Sequence, residues 1–175
     1  MDRYPPIAEH GLIGDLQTAA LVTTDGTVDW WCCPRFDSPS VFASLLDHDN
    51  GGRFRIGPEG DDYVARQLYF PDTAILITRF MTADGVGEVI DFLPVDDPHR
   101  ASDRHRLVRV VRCVRGQLRF VFGVDVVPAV LDAPSTTMAP AFGDEMTSRP
   151  EIQNQDVVVA APVSSAAAVT SPAAT

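Results

Sequence analysis

The chain has 175 residues, 45% of them hydrophobic and 22% charged, and a formal net charge of −10. That length suits one domain, or one domain and a tail. The charge argues against a nucleic-acid binder, because neutralising phosphates takes a basic surface; it equally disfavours an anionic membrane, and no stretch approaches the roughly 18 apolar residues of a membrane-spanning helix.

The first 125 residues read as strands. Residues 17–23 (QTAALVT) run into Asp25-Gly26 and leave through 27–33 (TVDWWCC). An Asp-Gly pair between β-rich runs predicts a hairpin, since its turn needs positive φ, which glycine adopts cheaply. A short helix or turn is expected over 39–47, where Ser38 can cap and Pro39 can take the first position. Shorter strands are expected at 52–57 and 63–70. A second hairpin comes next, 74–82 turning through Ala83-Asp84-Gly85 into 86–93. A third is expected from 104–115 through Gly116-Gln117 into 118–127. In 74–82, Ile75, Ile77 and Met81 share one face and Leu76 and Phe80 the other, as in strands of a layered fold. Regular turn signals and little helical periodicity predict an all-β fold, an antiparallel β-sandwich over residues 1–125.

Composition changes near residue 125. Pro128, Pro134, Pro140, Pro150, Pro162 and Pro172 interrupt the remainder of the chain, and its end reads VVVAAPVSSAAAVTSPAAT. Such a segment lacks the bulk to offset its ordering entropy. Residues 126–175 are therefore expected to be a low-complexity, disordered Pro/Ala/Ser tail, with a stray strand at Val157 to Val159.

Three cysteines, Cys32, Cys33 and Cys113, show no disulfide framework, and the start MDRYPPIAEHG carries no secretory signal. Both features predict reduced thiols and a cytoplasmic location. The four histidines, His10, His48, His99 and His105, lack metal-ligand spacing. Asp47, Asp49 and Asn50 resemble a calcium loop only faintly, since the twelfth position from Asp47 is Pro58, and a turn is expected there. With no phosphate loop, dinucleotide fingerprint or nucleophile elbow, neither a metal nor a cofactor is expected.

The densest site-like cluster is WWCCPRFDSPS, residues 30–40. Tryptophan faces suit sugar C–H surfaces, and Arg35 with Asp37 can grip hydroxyls. Trp30, Trp31, Arg35 and Asp37 are thus the candidates for a substrate rim. The plainer alternative is that one tryptophan is core and the Arg35–Asp37 pair pins the loop. Neighbouring strand residues face opposite ways, so at most one of the two indoles is expected deep inside. Asp91 sits in an apolar strand and, if buried, needs a partner such as arginine. Glu88, three residues away, falls on the opposite face, so the two do not form an acid–base pair. In the arginine-rich strand, Arg104, Arg106 and Arg112 share one face and Arg109 and Arg115 the other. Pairing with carboxylates is expected there rather than a basic patch.

Read together, PIAEHGLIGDLQTAALV (6–22), DGTVDWWCCPRFDSPSVFASLLD (25–47), GGRFRI (51–56), EVIDFLP (88–94) and RLVRVVRCVRGQLRF (106–120) resemble the amino-terminal domain of glycoside hydrolase family 15, the bacterial and archaeal trehalases and glucoamylase-like enzymes. The stretch DGTVDWWCCPRFDSPSVF carries most of the likeness, which spans roughly residues 4–124. The resemblance implies a large supersandwich-like β-domain followed by an (α/α)6 barrel. Two glutamates of that barrel would hydrolyse an α-glucoside with inversion. Neither maps onto Glu9, Glu59, Glu88, Glu145 or Glu151, so no catalytic residue is assigned. The sandwich is expected to be incomplete, the missing (α/α)6 domain to be its partner, and α-glucoside sugars to be possible ligands. A stand-alone carbohydrate-binding module is the alternative reading.

Overall fold

The computed structural model describes residues 4–101, 104–126, 151–152 and 157–164. Twelve strands are present among them: β1 (His10–Gly14), β2 (Ala19–Thr23), β3 (Thr27–Cys32), β4 (Ser40–Phe42), β5 (Arg53–Pro58), β6 (Val64–Tyr69), β7 (Leu76–Met81), β8 (Gly85–Phe92), β9 (Arg104–Gly116), β10 (Leu118–Asp125), β11 (Glu151–Ile152) and β12 (Val157–Ser164). The described helical structure is one 3-10 turn, Ile7–Glu9. The strands form two sheets. One runs β1-β2-β3-β5-β10-β11 with β4 beside β3, and the other runs β12-β9-β8-β7-β6.

Every pairing within the sheets is antiparallel. The first expected hairpin forms as β2–β3. Gly26 turns it at φ 82°, where a Cβ would run into the Ile56 carbonyl. Its register shifts between Leu21↔Trp30 and Val22↔Val28, leaving Asp29 without an opposite residue. The second forms as β7–β8, with Leu76↔Asp91 through Met81↔Val86 in step.

The third expected hairpin does not form. β9 pairs with β8 and β12, whereas β10 crosses to the other sheet and pairs with β5 from Phe120↔Pro58 to Asp125↔Arg53. Gly116, at φ 71° and tight against the Asp84 carbonyl, makes a corner between layers rather than a hairpin turn. A glycine turn signal serves either purpose, and the partners of the flanking strands decide between them. The helix or turn expected over 39–47 is resolved as β4 followed by turns. Val41 and Phe42 are buried there, with Phe42 opposite Trp31, and this pairing outweighs the weak tendency of so short a segment to form a helix. The segment Gly11 to Gly14, which reads as glycine punctuation, belongs to the edge strand β1.

Within the stretch expected to be disordered, β12 pairs with β9 along its length, from Val157↔Val111 to Ser164↔Arg104. It extends past the three residues expected. Pro162 is tolerated because β12 is an edge strand, whose outer side needs no ladder donor. Residues 127–150, 153–156 and 165–175 of the expected tail lie outside the described residues.

One apolar core lies between the two sheets. Ile13, Val28, Trp31 and Phe54 contribute from one side and Phe80, Val89, Leu107 and Val111 from the other. Each such side chain gains roughly 1.5–3 kcal/mol from full burial. The β1 edge is closed by a side chain of the opposite sheet: the Tyr69 hydroxyl accepts from Leu12 N–H at 2.8 Å and donates to its carbonyl at 2.9 Å. Both outward backbone groups of Leu12 are thereby occupied, which protects an otherwise open strand edge.

Candidate functional site

The loop after β3 carries the candidate residues. It leaves the strand through a cis Cys33–Pro34 peptide. It is then closed by Arg35 N–H donating to Ser38 Oγ at 3.1 Å and Ser38 N–H donating to the Arg35 carbonyl at 3.1 Å. Arg35 Nε donates to Asp37 Oδ1 at 3.1 Å, and both side chains are 74% exposed. Beside them the half-buried Trp30 lies near parallel to Phe36, with centroids 6.5 Å apart and planes 19° apart. Phe36 itself is well exposed. The result is a braced loop that offers two aromatic rings and a guanidinium–carboxylate pair to solvent.

Trp31 stands apart from this group. It is fully buried and packs on Phe42 with centroids 6.3 Å apart, so it belongs to the core and does not line a rim. The structure therefore brings Trp30, Arg35 and Asp37 together, adds Phe36, and separates Trp31 on the other face of β3.

The inner carboxylates are engaged elsewhere. Asp91 on β8 and Arg109 on β9 are cross-strand partners and both fully buried. Arg109 Nε donates to Asp91 Oδ1 at 2.8 Å and Nη2 to Oδ2 at 3.1 Å. The same guanidinium reaches the opposite sheet, Nη1 donating to the Phe54 carbonyl at 2.7 Å and Nη2 to that of Gly26 at 2.8 Å. It also lies 4.7 Å from the centroid of the Phe54 ring. This is the structural ion pair that an acid in an apolar strand requires.

On the other face of the same sheet, Arg79, Glu88 and Arg112 stand in line across β7, β8 and β9. Glu88 accepts from Arg79 Nε at 2.7 Å and pairs with Arg112. Its burial pushes the carboxyl up, but hydrogen bonds and charge from Arg112 and Arg79 outweigh this and hold it below its usual range. Arg106 pairs with Asp96 at 2.6 Å. The arginine strand thus splits its charges between faces, and Arg106, Arg109 and Arg112 are each paired with a carboxylate.

Two further buried pairs escape sequence reasoning. Asp15, in the turn after β1, accepts from Gln17 N–H at 3.0 Å and Thr18 N–H at 2.9 Å, and pairs with His105 Nδ1 on β9. His105 Nε2 is buried without a partner, and its ring is closed to solvent. Asp29 on β3 binds His10 Nε2 at 2.8 Å. Burial pushes the Asp29 carboxyl up, with His10 drawing it back. The available signal was an acid or histidine at an inward position of an apolar strand, as in TVDWW and RHRLV.

Asp47 Oδ1 accepts from the backbone N–H of Asp49 at 3.1 Å and of Asn50 at 3.2 Å, the turn expected in place of a calcium loop. Among the described residues no three His, Cys, Asp or Glu side chains are placed to hold a metal ion. Burial, reinforced by Asp15 and Cys32, pushes the Cys33 thiol up to about 12, which keeps it an inert core group. The described geometry braces the loop at the surface, while the buried carboxylates Asp15, Asp29, Glu88 and Asp91 are each bonded to a histidine or arginine.

A family model described as "Trehalase-like, N-terminal" matches residues 2–124. The trehalase of Mycolicibacterium smegmatis is 35% identical over 159 residues, covering 81% of this chain and 23% of that protein. The trehalase of Thermoplasma volcanium is 38% identical over 115 residues, 62% of this chain and 18% of the relative. Trehalase 1 of Sulfolobus acidocaldarius is 42% identical over 87 residues, 50% of this chain and 15% of the relative. The matches thus span less than a quarter of each of these relatives. No solved structure gives a significant match.

Proposed function

Because the chain belongs to the trehalase-like N-terminal domain family, we propose that it is the non-catalytic N-terminal domain of a trehalase- or glucoamylase-type α-glucoside hydrolase of glycoside hydrolase family 15. The reaction would be carried by an (α/α)6 domain beyond this chain. One observation supports this reading above the others: the buried carboxylates of the described residues, Asp15, Asp29, Glu88 and Asp91, are each bonded to a histidine or arginine. None is left to protonate a glycosidic oxygen or activate a water. In this reading residues 1–125 are an incomplete form of the family's supersandwich, and the Pro/Ala/Ser-rich remainder, 126–175, adds β11 and β12 to the edges of the two sheets. The protein is cytoplasmic, and its acidic balance keeps it from nucleic acid and membrane. Trp30, Arg35 and Asp37 would stand at the rim where an α-glucoside meets the partner domain.

The test is glucose release. The purified chain should liberate none from trehalose or maltose, and reproducible turnover that follows the polypeptide through purification would refute the assignment.

A second reading, a stand-alone carbohydrate-binding module, is favoured by the near-parallel Trp30–Phe36 pair beside Arg35–Asp37. Titration calorimetry with trehalose and malto-oligosaccharides separates the two. Millimolar or tighter binding that is lost in Trp30→Ala supports the module. Trp31→Ala is the wrong probe, since it opens a cavity in the core.

A further inference from the structure

We propose that the segment Tyr4–Glu9 is a strap held by two histidines with opposite proton demands, closed between an acidic and an alkaline limit and released beyond either. At its inner end the His10 side chain is 1% exposed, with both ring nitrogens engaged. Nδ1 lies 3.0 Å from the Pro6 carbonyl and Nε2 lies 2.8 Å from Asp29 Oδ2. A carbonyl only accepts, so Nδ1 must carry a proton. The contact with Asp29 needs one more, on the ring or on the carboxyl. Two protons therefore serve the His10–Asp29 pair when both bonds are made. Asp29 is buried and its Oδ1 has no partner, so a bare carboxylate there is costly without the imidazolium.

At the outer end the demand is reversed. The Tyr4 ring meets His48 edge-on, with centroids 6.2 Å apart, and the Tyr4 hydroxyl accepts from His48 N–H at 3.4 Å. His48 Nε2 lies 3.2 Å from Arg53 Nη1, which only donates, so this nitrogen must keep its lone pair. Among the described residues the charged groups around the two histidines are few. His10 faces Asp29 on β3, behind which stands Asp25 of the β2–β3 turn, with Glu9 beside it on the strap. β2 offers it the uncharged Thr23. His48 faces Arg53 on β5 and is flanked by Asp47 and Asp49 on its own loop.

Proton changes at either end break a contact. When the His10–Asp29 pair loses its second proton, the remaining ring proton stays at Nε2, where the bond to the ionised carboxylate is the stronger. Nδ1 then presents a lone pair to the Pro6 carbonyl, and the inner end is pushed off. When His48 gains a proton, Nε2 turns a donor towards Arg53 and places two cations side by side. The loop then shifts from under Tyr4. The device depends on the relation between these side chains and stands apart from the proposed function.

The test uses the full chain and reads hydrogen-exchange protection factors at two amides from about pH 4 to about pH 10, either side of the ordinary histidine range. Glu9 N–H, bonded to the Pro6 carbonyl at 2.9 Å, reports the inner end, and His48 N–H reports the outer end. Protection should fall about fivefold or more at Glu9 on the alkaline side and at His48 on the acid side, the loss of about one hydrogen bond at each. His10→Gln should flatten the alkaline limb only. His48→Gln, whose amide oxygen accepts from Arg53 at any pH, should flatten the acid limb only. Nitrogen NMR of the imidazoles at neutral pH needs no variant, and should find a proton on His10 Nδ1 and none on His48 Nε2. Protection that is flat with pH, limbs that persist in both variants, or the reverse ring protonation would overturn the proposal.

Discussion

Arg109 is the side chain whose removal tests the architecture most directly. Arg109→Met keeps most of the stem and deletes the guanidinium. The Asp91 carboxylate is then sealed in the core with no counter-charge, and the Phe54 carbonyl loses its bond from Nη1. The Gly26 carbonyl is less exposed to the change, because it also accepts from Ile56 N–H at 3.0 Å. Breaking a buried ion pair by removing one partner costs about 3–5 kcal/mol. A carbonyl left unsatisfied accounts for about 1–3 kcal/mol of such a loss, so the stranded charge carries the greater share. Removing that charge as well, in Arg109→Met with Asp91→Leu, should therefore recover about 2 kcal/mol or more relative to the single variant. Urea unfolding at pH 7 measures all three chains, with an unchanged denaturant slope required for the comparison. A domain of this size has about 5–15 kcal/mol in total. Should Arg109→Met not fold, Asp91→Asn, which keeps the shape and removes the charge, takes its place. A loss below about 1 kcal/mol in Arg109→Met, or a double variant no more stable than the single, would refute the role given to this pair.

Two further outcomes are expected. Glu88 titrates below its ordinary value when folded, so the unfolded chain takes up its proton first as pH falls. Its stabilisation is whole above the unfolded value of about 4.3 and is lost as pH falls through the lower folded one. Its arginines are 43% and 47% exposed, which lets solvent screen the cluster. Glu88→Gln should thus cost up to about 1 kcal/mol at pH 7 and measurably less at pH 3 by urea unfolding; an equal cost at both would contradict the assignment. Cys33, held near 12, should resist iodoacetamide at pH 8 in the native chain and react in urea. Native labelling at the rate of a free thiol would show that this thiol is not sealed.

Much of the fold was legible because its signals are local. The Asp25-Gly26 and Asp84-Gly85 turns mark two hairpins, Gly26 by its positive φ and Gly85 by the close approach of the Arg115 and Gln117 backbone, which leaves no room for a Cβ. Alternation alone puts Trp30 and Trp31 on opposite faces, and it puts Asp91 and Glu88 on different sides of their strand. It could not say which tryptophan was inside, because that depends on Phe42 pairing with Trp31 across a turn. The Gly116 corner is hidden for the same reason: β10 finds its partner in β5, from Phe120↔Pro58 to Asp125↔Arg53, and no local rule reports so distant a pairing. β1 was missed because two glycines diluted its pattern, although His10, Leu12 and Ile13 all make specific contacts there. Asp15 with His105 is a pairing across 90 residues, visible only after folding.

The distribution of acids connects these points to function. A chain with 24 acidic residues has ample carboxylate for glycoside chemistry in the abstract. Such chemistry needs two carboxyls across a sugar-sized gap, one held protonated and one ionised. Here the buried acids are bound instead: Asp91 by a four-bond guanidinium, Asp29 and Asp15 by imidazoles, and Glu88, on the outer face of its sheet, by two arginines across neighbouring strands. Freeing any of them would leave a buried charge unpaired and destabilise the sheets that present the loop. The polar groups that can meet a ligand without that cost are at the surface, among them Arg35 and Asp37 beside the Trp30–Phe36 rings. The described body thus uses its buried carboxylates for cohesion, and the proposed rim draws only on side chains whose engagement leaves that cohesion intact.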